Sequence, residues 1–95
     1  MAIFFMFGKY TPEARREISA ARTQQAIKAI NKLGGEVNAM HALLGPYDLL
    51  FCMTLPGIDD AIKASLALSD LTGISFTTCP AVTIEAFDEL VNSAA

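Results

Sequence analysis

Residues 36–55, EVNAMHALLGPYDLLFCMTL, form the stretch that decides the fold. In its first part, Glu36–Leu44, the side chains of Val37, Ala39, His41 and Leu43 alternate with those of Asn38, Met40, Ala42 and Leu44. This two-residue period is typical of a β-strand. Gly45-Pro46 predicts a tight turn. The apolar run Leu49–Leu55 predicts a further strand. The stretch is therefore expected to form two strands joined by a short turn, and the alternation places His41 on the same strand face as Val37, Ala39 and Leu43.

A strand and a helix are predicted before this stretch. Residues 2–10, AIFFMFGKY, are rich in β-branched and aromatic side chains and predict a strand. Thr11-Pro12 supplies a hydroxyl N-cap and a proline at the first helical position. We expect one unbroken helix from there to Leu33, because the glycine pair that follows adopts the left-handed C-cap conformation at little cost.

After residues 36–55, the sequence predicts a helix, a strand and a short helix. The helix follows the break at Pro56-Gly57 and ends at Gly73. Ile74–Cys79 is predicted as the fourth strand, ended by Pro80. Thr83 caps a short terminal helix that carries an apolar stripe. The stripe consists of Ile84, Phe87, Leu90 and Val91.

The order of elements defines the fold class. Strand, helix, strand, strand, helix, strand is the ferredoxin-like βαββαβ pattern, an α+β fold with a four-stranded antiparallel sheet, here followed by a short C-terminal helix. A chain of 95 residues fits a single domain, residues 1–95.

The strands are apolar on both faces, although two long helices can cover only one. Phe4 and Phe5 point to opposite faces, as do Leu50 and Phe51. The chain is 53% hydrophobic and only 18% charged, so the uncovered face would expose more apolar surface than monomers usually tolerate. We therefore expect a homodimer or a higher homo-oligomer that associates through this face.

Charge and cysteine content exclude several classes of function. Seven basic and ten acidic residues give a net charge of −3, so no nucleic-acid partner is expected. No run is long and apolar enough to span a bilayer, and a cytoplasmic location is expected. Cys52 and Cys79 form no metal motif, and no metal or cofactor is expected. In the usual strand order they lie about 9.6 Å apart, too far for a disulfide.

Several motifs together resemble the GYD-domain family, small proteins named for a glycine, a variable residue, tyrosine and aspartate. Arg22 matches a position where this family usually carries arginine, whereas His41 stands where an aromatic residue such as tyrosine is usual. The other matching segments are Leu33-Gly34-Gly35, Leu44-Gly45-Pro46-Tyr47-Asp48, Leu71-Thr72-Gly73-Ile74 and Phe76–Val82.

The resemblance implies a stand-alone protein that forms a dimeric α/β-barrel or a closely related ferredoxin-like assembly, but it supplies no reaction. The glycine-x-tyrosine-aspartate turn is also similar to that of the effector-binding domains of leucine-responsive regulators, which bind amino acids between subunits.

Four residues are the candidate ligand contacts: Arg22, His41, Tyr47 and Asp48. Asp48 could accept a ligand's ammonium group, or bond turn amides and fix the strand register. Arg22 lies on a mostly apolar helix face, where it could pair with a carboxylate such as Asp48 or Glu36, or hold an anionic ligand. His41 could be a hydrogen-bonded interior or interface residue, or take part in acid–base chemistry.

The leading hypothesis is an oligomeric, non-catalytic module that binds a small polar or amphipathic metabolite near the Gly45–Asp48 turn. No catalytic residue is assigned, because no nucleophile elbow, phosphate loop or metal motif is present. Two alternatives stay open: a cofactor-free enzyme of the dimeric α/β-barrel type, and a purely structural assembly protein.

Overall fold

The computed structural model describes residues 1–94 and contains four strands and four helices within them. They are β1 (Ala2–Lys9), α1 (Pro12–Arg16), α2 (Ala20–Lys32), β2 (Glu36–Ala42), β3 (Leu49–Leu55), α3 (Ile58–Thr72), β4 (Ser75–Ala81) and α4 (Ile84–Ala94). The strands form one antiparallel sheet in the order β2-β3-β1-β4. The predicted α+β, ferredoxin-like fold is confirmed. Among the helices of residues 1–94, none has the length and hydropathy needed to cross a bilayer.

The core lies between one face of the sheet and helices α2 and α3. Strands β1 and β3 supply its floor, with Met6, Met53 and Leu55 fully buried. Ile30 of α2 and Leu68 of α3 are also fully buried and close the core from above. The alternation of strand side chains thus places the largest apolar groups of the central strands under the two long helices.

The first helix is broken, and the prediction of one unbroken helix to Leu33 was wrong. Helix α1 ends at Arg16, and α2 begins at Ala20. Ser19 is a new N-cap, since its hydroxyl accepts a hydrogen bond from the Arg22 N–H at 3.0 Å. A local serine cap therefore competes successfully with continuation of the helix.

Strand β2 is shorter than predicted and carries an irregularity. It ends at Ala42 rather than Leu44. The register shifts between Val37, opposite Met53, and Ala39, opposite Cys52. Because one extra residue reverses the side chains that follow it, Val37 shares a face with the core, and the prediction that it shares a face with His41 was wrong.

Strand β4 continues through the proline that was predicted to end it. It spans Ser75–Ala81, and Pro80 lies opposite Phe4. Since β4 is an edge strand, a proline without an N–H donor is tolerated there. Ile74, predicted as the first strand residue, lies just outside the strand and is buried.

The two glycines after α2 have different roles. Gly34 has φ +79°, the left-handed conformation predicted for a helix end. Gly35 is required by packing instead: a Cβ there would collide with the side chain of Leu55 and lie 3.0 Å from the Thr54 carbonyl oxygen. The second glycine therefore allows the chain to pass close to β3.

The other face of the sheet, called the open face below, is apolar, as the sequence predicted. Its residues include Ile3, Phe5, Phe7, Leu50, Cys52, Thr77 and Cys79, and Ala39 and His41 of β2 lie on the same face, opposite Cys52 and Leu50. Cys52 and Cys79 lie opposite Phe5 from its two neighbouring strands, and both are free thiols. The predicted separation of the cysteines by an intervening strand is confirmed.

Candidate functional site

A cavity of about 170 Å³ lies on the helix-covered side of the sheet, next to the first turns of α2. Its apolar walls come from the helix, from β2 and β3 and from the end of α3. They include Ile18, Ala26, Met40, Leu49, Phe51 and Ile74. The polar residues at its border are Tyr10, Ser19, Arg22, Thr23, His41 and Thr72.

Arg22 is the charged residue of this cavity, and the helix break positions it. Its Nη1 donates a hydrogen bond to the carbonyl oxygen of Ala14 at 2.6 Å. Its guanidinium lies 6.0 Å from the centroid of the Tyr10 ring, within the range of a cation–π contact. In a continuous helix, residues 14 and 22 would be about 12 Å apart along the axis. The break before Ala20 therefore folds α1 back within reach of the arginine.

The hydrogen bond of Arg22 differs from the predicted ion pair with Asp48 or Glu36. Its partner is a backbone carbonyl, and the Asp48 carboxylate accepts instead from the backbone N–H of Tyr10. A neutral partner leaves the positive charge of the half-buried guanidinium uncompensated by that contact.

The N-terminus of α2 adds to the positive potential at the cavity. Arg22 is in the first turn of this helix, which contains no acidic residue. By contrast, Glu13 lies in the first turn of α1, and Asp59 and Asp60 lie in that of α3. Since a helix N-terminus carries a partial positive charge, a cation in its first turn is electrostatically unfavourable unless an anion is near.

Asp48 ties the turn before β3 to the end of β1. Its Oδ2 accepts from the Tyr10 N–H at 2.8 Å, and its own N–H donates to the carbonyl of Gly8 at 2.8 Å. The Leu43 N–H donates to the Asp48 carbonyl at 2.7 Å. These bonds match the structural role predicted for this aspartate as an alternative to ligand binding.

The other two candidate residues lie at the sheet rather than together. Tyr47 packs on Phe7, with ring centroids 5.0 Å apart, so it borders the open face. His41 is exposed on β2 and lies opposite Leu50, so its side chain is on the open face, although the residue also borders the cavity at the strand edge. The structure thus brings Arg22 and His41 to one cavity, whereas Tyr47 and Asp48 lie outside its lining.

Sequence reasoning missed four polar residues of the cavity: Tyr10, Ser19, Thr23 and Thr72. Ser19 carried a usable signal, because serine is among the residues preferred at a helix N-cap. Tyr10 carried no such signal in the local sequence. Its ring lies near the Arg22 guanidinium, and its backbone is held by a hydrogen bond to Asp48, a residue 38 positions away. Within residues 1–94, no three histidine, cysteine or acidic side chains gather where they could hold a metal ion.

Fold and cavity together define a small α+β protein of ferredoxin-like topology with one cationic pocket under its first long helix. The model of the GYD-domain family matches residues 4–91, and the chain belongs to this family. No curated protein matches the sequence.

Proposed function

We propose that the chain is a homo-oligomeric binding module for a small metabolite that carries an anionic group. The metabolite occupies the cavity beside α2, with its anionic group at Arg22. One observation carries this proposal: Arg22 borders an apolar cavity at a helix N-terminus, and its hydrogen-bond partner is a neutral carbonyl.

The chemistry of the guanidinium favours a carboxylate or phosphate. The bond to Ala14 uses one of its five N–H donors. A planar anion can accept two parallel hydrogen bonds from such a group. An anion at this position would also offset the partial positive charge of the helix N-terminus.

The rest of the cavity favours a ligand with an apolar portion. Met40, Leu49 and Phe51 contribute an apolar part of the lining from β2 and β3. His41 borders the cavity at the β2 edge, but its register opposite Leu50 places its side chain on the open face, so Arg22 is the charged contact for the ligand. Amino acids and other small organic acids combine these features.

Asp48 and Tyr47, the two predicted ligand contacts from the turn before β3, do not touch the ligand directly in this proposal. Asp48 holds the backbone of Tyr10, and the Tyr10 ring lies beneath the guanidinium. Asp48 is therefore a positioning residue for the anion site. Tyr47, which packs on Phe7, lies closer to the open face, where a second copy would contribute.

A thermal-shift screen with amino acids, hydroxy acids and phosphorylated metabolites tests the proposal. A ligand at 100 times its Kd stabilises the wild-type chain by about 2.7 kcal/mol, which raises the Tm on the order of 10 °C for a domain of this size. Arg22→Gln should lose this shift. Lys28→Gln, an exposed position on the same helix, is the matched control and should keep it.

Two results would overturn the proposal. One is a complete library that shifts neither the wild-type chain nor the control. The other is a ligand whose shift is the same in Arg22→Gln as in the wild-type chain. Turnover of a ligand by the wild-type chain would favour the cofactor-free enzyme alternative.

A further inference from the structure

The terminal helix α4 has an apolar stripe that covers nothing in its own chain. None of its described residues is buried, and it makes no extensive packing contact with another element of residues 1–94. Its stripe is exposed at four positions. These are Ile84 at 71%, Phe87 at 52%, Leu90 at 60% and Val91 at 52%.

The chain has a larger accessible surface and a larger radius of gyration than a compact monomer of its size, which favours association with a partner. A folded monomer of 10.2 kDa has an accessible surface of about 5,300 Å², whereas this chain exposes 6186 Å². Its radius of gyration is 14.5 Å, against about 12.4 Å for a compact domain of this length. The excess of roughly 900 Å² is close to the area of about 800 Å² that each partner buries in a stable interface.

A second apolar surface, the α3–β4 groove, complements α4. Its cavity of about 140 Å³ is lined by Phe4, Ile58, Ala61, Ile62 and Pro80, together with two hydroxyl groups. Those hydroxyls, of Ser65 and Thr78, bond one another at 2.6 Å. Because its polar groups are paired, the groove suits an apolar side chain better than a polar metabolite.

The outer side of α3 extends this groove into a stripe of the right length. Ile58, Ile62 and Leu66 are 62%, 55% and 64% exposed and span about 12 Å along the helix. The α4 stripe, from Ile84 to Val91, spans about 10.5 Å. Two stripes of similar length can pack as one helix–helix contact.

The link between β4 and α4 is short, and within residues 1–94 helix α4 makes no extensive contact with α3 of its own chain. Only Val82 and Thr83 separate the two elements. Thr83 is fixed as a cap, since its Oγ1 accepts from the Ala86 N–H at 3.1 Å and its carbonyl accepts from the Phe87 N–H at 2.9 Å. No residue of α4 lines the groove of its own chain within the described residues.

One basic residue beside the α3 stripe can pair with the acidic α4. Helix α4 carries Glu85, Asp88 and Glu89 and no basic residue, so two such helices would repel each other. Helix α3 is acidic as a whole, with Asp59, Asp60 and Asp70, but it carries Lys63 between Ile62 and Leu66. A lysine beside the stripe can pair with an acid of the incoming helix.

We propose that α4 of one copy packs into the α3–β4 groove of a second copy, with Phe87 as its anchor, and that the exchange is reciprocal in a two-fold dimer. This contact is separate from the open face and from the ligand cavity. It adds an interface to the sheet-face association without depending on a bound metabolite.

Two full-length variants test the exchange: Phe87→Ser on α4 and Ile62→Ser on α3. Both positions are exposed in the chain, so folding should be preserved, as checked by circular dichroism. Sedimentation equilibrium should show the dimer Kd raised at least tenfold in each. Leu44→Ser, at a fully exposed position of the turn before β3, is the control and should associate like the wild-type chain.

A mixture of the two variants identifies the surfaces that meet. In the mixed dimer, the intact α4 of the Ile62→Ser chain meets the intact α3 of the Phe87→Ser chain, while both changes fall in the second contact. The mixture should therefore associate more tightly than either variant alone. A mixture that associates no more tightly than either variant alone overturns the exchange. A wild-type chain that stays monomeric at about 100 μM also overturns it, because its dimer Kd would then be weaker than roughly 10⁻⁴ M.

The exchange and the sheet-face association can fail separately. If Leu50→Asp on the open face weakens association while Phe87→Ser and Ile62→Ser do not, the α4 exchange is wrong and the sheet-face interface stands. If only the helix variants weaken association, the exchange stands without the sheet face.

Discussion

The Asp48 carboxylate accepts a hydrogen bond from the backbone N–H of Tyr10 at 2.8 Å, across 38 positions of sequence. This bond joins the turn before β3 to the residue that follows β1. It also fixes the backbone of Tyr10, whose ring lies 6.0 Å from the Arg22 guanidinium. The turn motif and the cationic cavity are thereby linked through a single residue.

Replacing this aspartate should destabilise the fold before it affects binding. Asp48→Ala removes a charge-assisted hydrogen bond and leaves the Tyr10 N–H without its partner, so the free energy of unfolding should fall by about 2 kcal/mol. Urea denaturation measures this change. Asp70→Ala, at an exposed site near the end of α3, should stay within about 0.5 kcal/mol of the wild-type chain.

An Asp48→Ala chain as stable as the wild-type chain would contradict this role. That result would favour the alternative role of Asp48, a direct contact with the ligand. A loss of ligand binding at unchanged stability would have the same meaning.

The sequence was sufficient for the fold because local signals and apolar patterns agreed. The strands, the two glycine-ended helices and the hairpin turn each had a composition that matched their structure, and the two-sided apolar strands identified the open face. Both Arg22 and His41 were chosen as polar residues among apolar neighbours, and both border the cavity.

The errors came from features that depend on tertiary contacts. The break before α2 replaces helical bonds with a serine cap and with the Arg22–Ala14 bond, a contact that exists only after α1 has folded back. The register shift in β2 is visible only against β3. Pro80 stays in β4 because that strand lies at a sheet edge, which follows from strand order rather than from local sequence.

Gly35 provides a second test, since its role is steric. Gly35→Ala should lower the free energy of unfolding by about 1–3 kcal/mol, because a Cβ would collide with buried Leu55 and approach the Thr54 carbonyl. Combining it with Leu55→Val should recover part of this cost, giving a favourable coupling of about 0.5 kcal/mol or more in denaturant titrations.

Gly34→Ala is the matched control for this coupling. Its cost of about 1 kcal/mol should come from the left-handed backbone at φ +79°. A Cβ there would contact Pro56 and not Leu55. The changes in the free energy of unfolding caused by Gly34→Ala and Leu55→Val should therefore add without coupling. If both glycine substitutions show the same coupling to Leu55→Val, the steric explanation for Gly35 is ruled out.

The two cysteines report on the open face. Since Phe5 lies between them, Cys52 and Cys79 should remain thiols in the oxidised, intact protein, and mass spectrometry should show two alkylated cysteines and no internal disulfide. If copies associate through this face, alkylation should slow as protein concentration rises. Cys52→Ala and Cys79→Ala separate the two rates, and rates independent of concentration would count against the interface.

Leu50→Asp addresses the open face most directly. Leu50 lies opposite Phe7 on one side and His41 on the other, so a carboxylate there would enter the centre of the proposed interface without disturbing the core. An unpaired buried charge is costly, so light scattering should show the variant shifted to monomer at concentrations where the wild-type chain is associated. Leu44→Asp adds the same charge at a fully exposed turn position and should leave association unchanged. A wild-type chain that scatters as a stable 10.2 kDa monomer at micromolar concentration would defeat the sheet-face association.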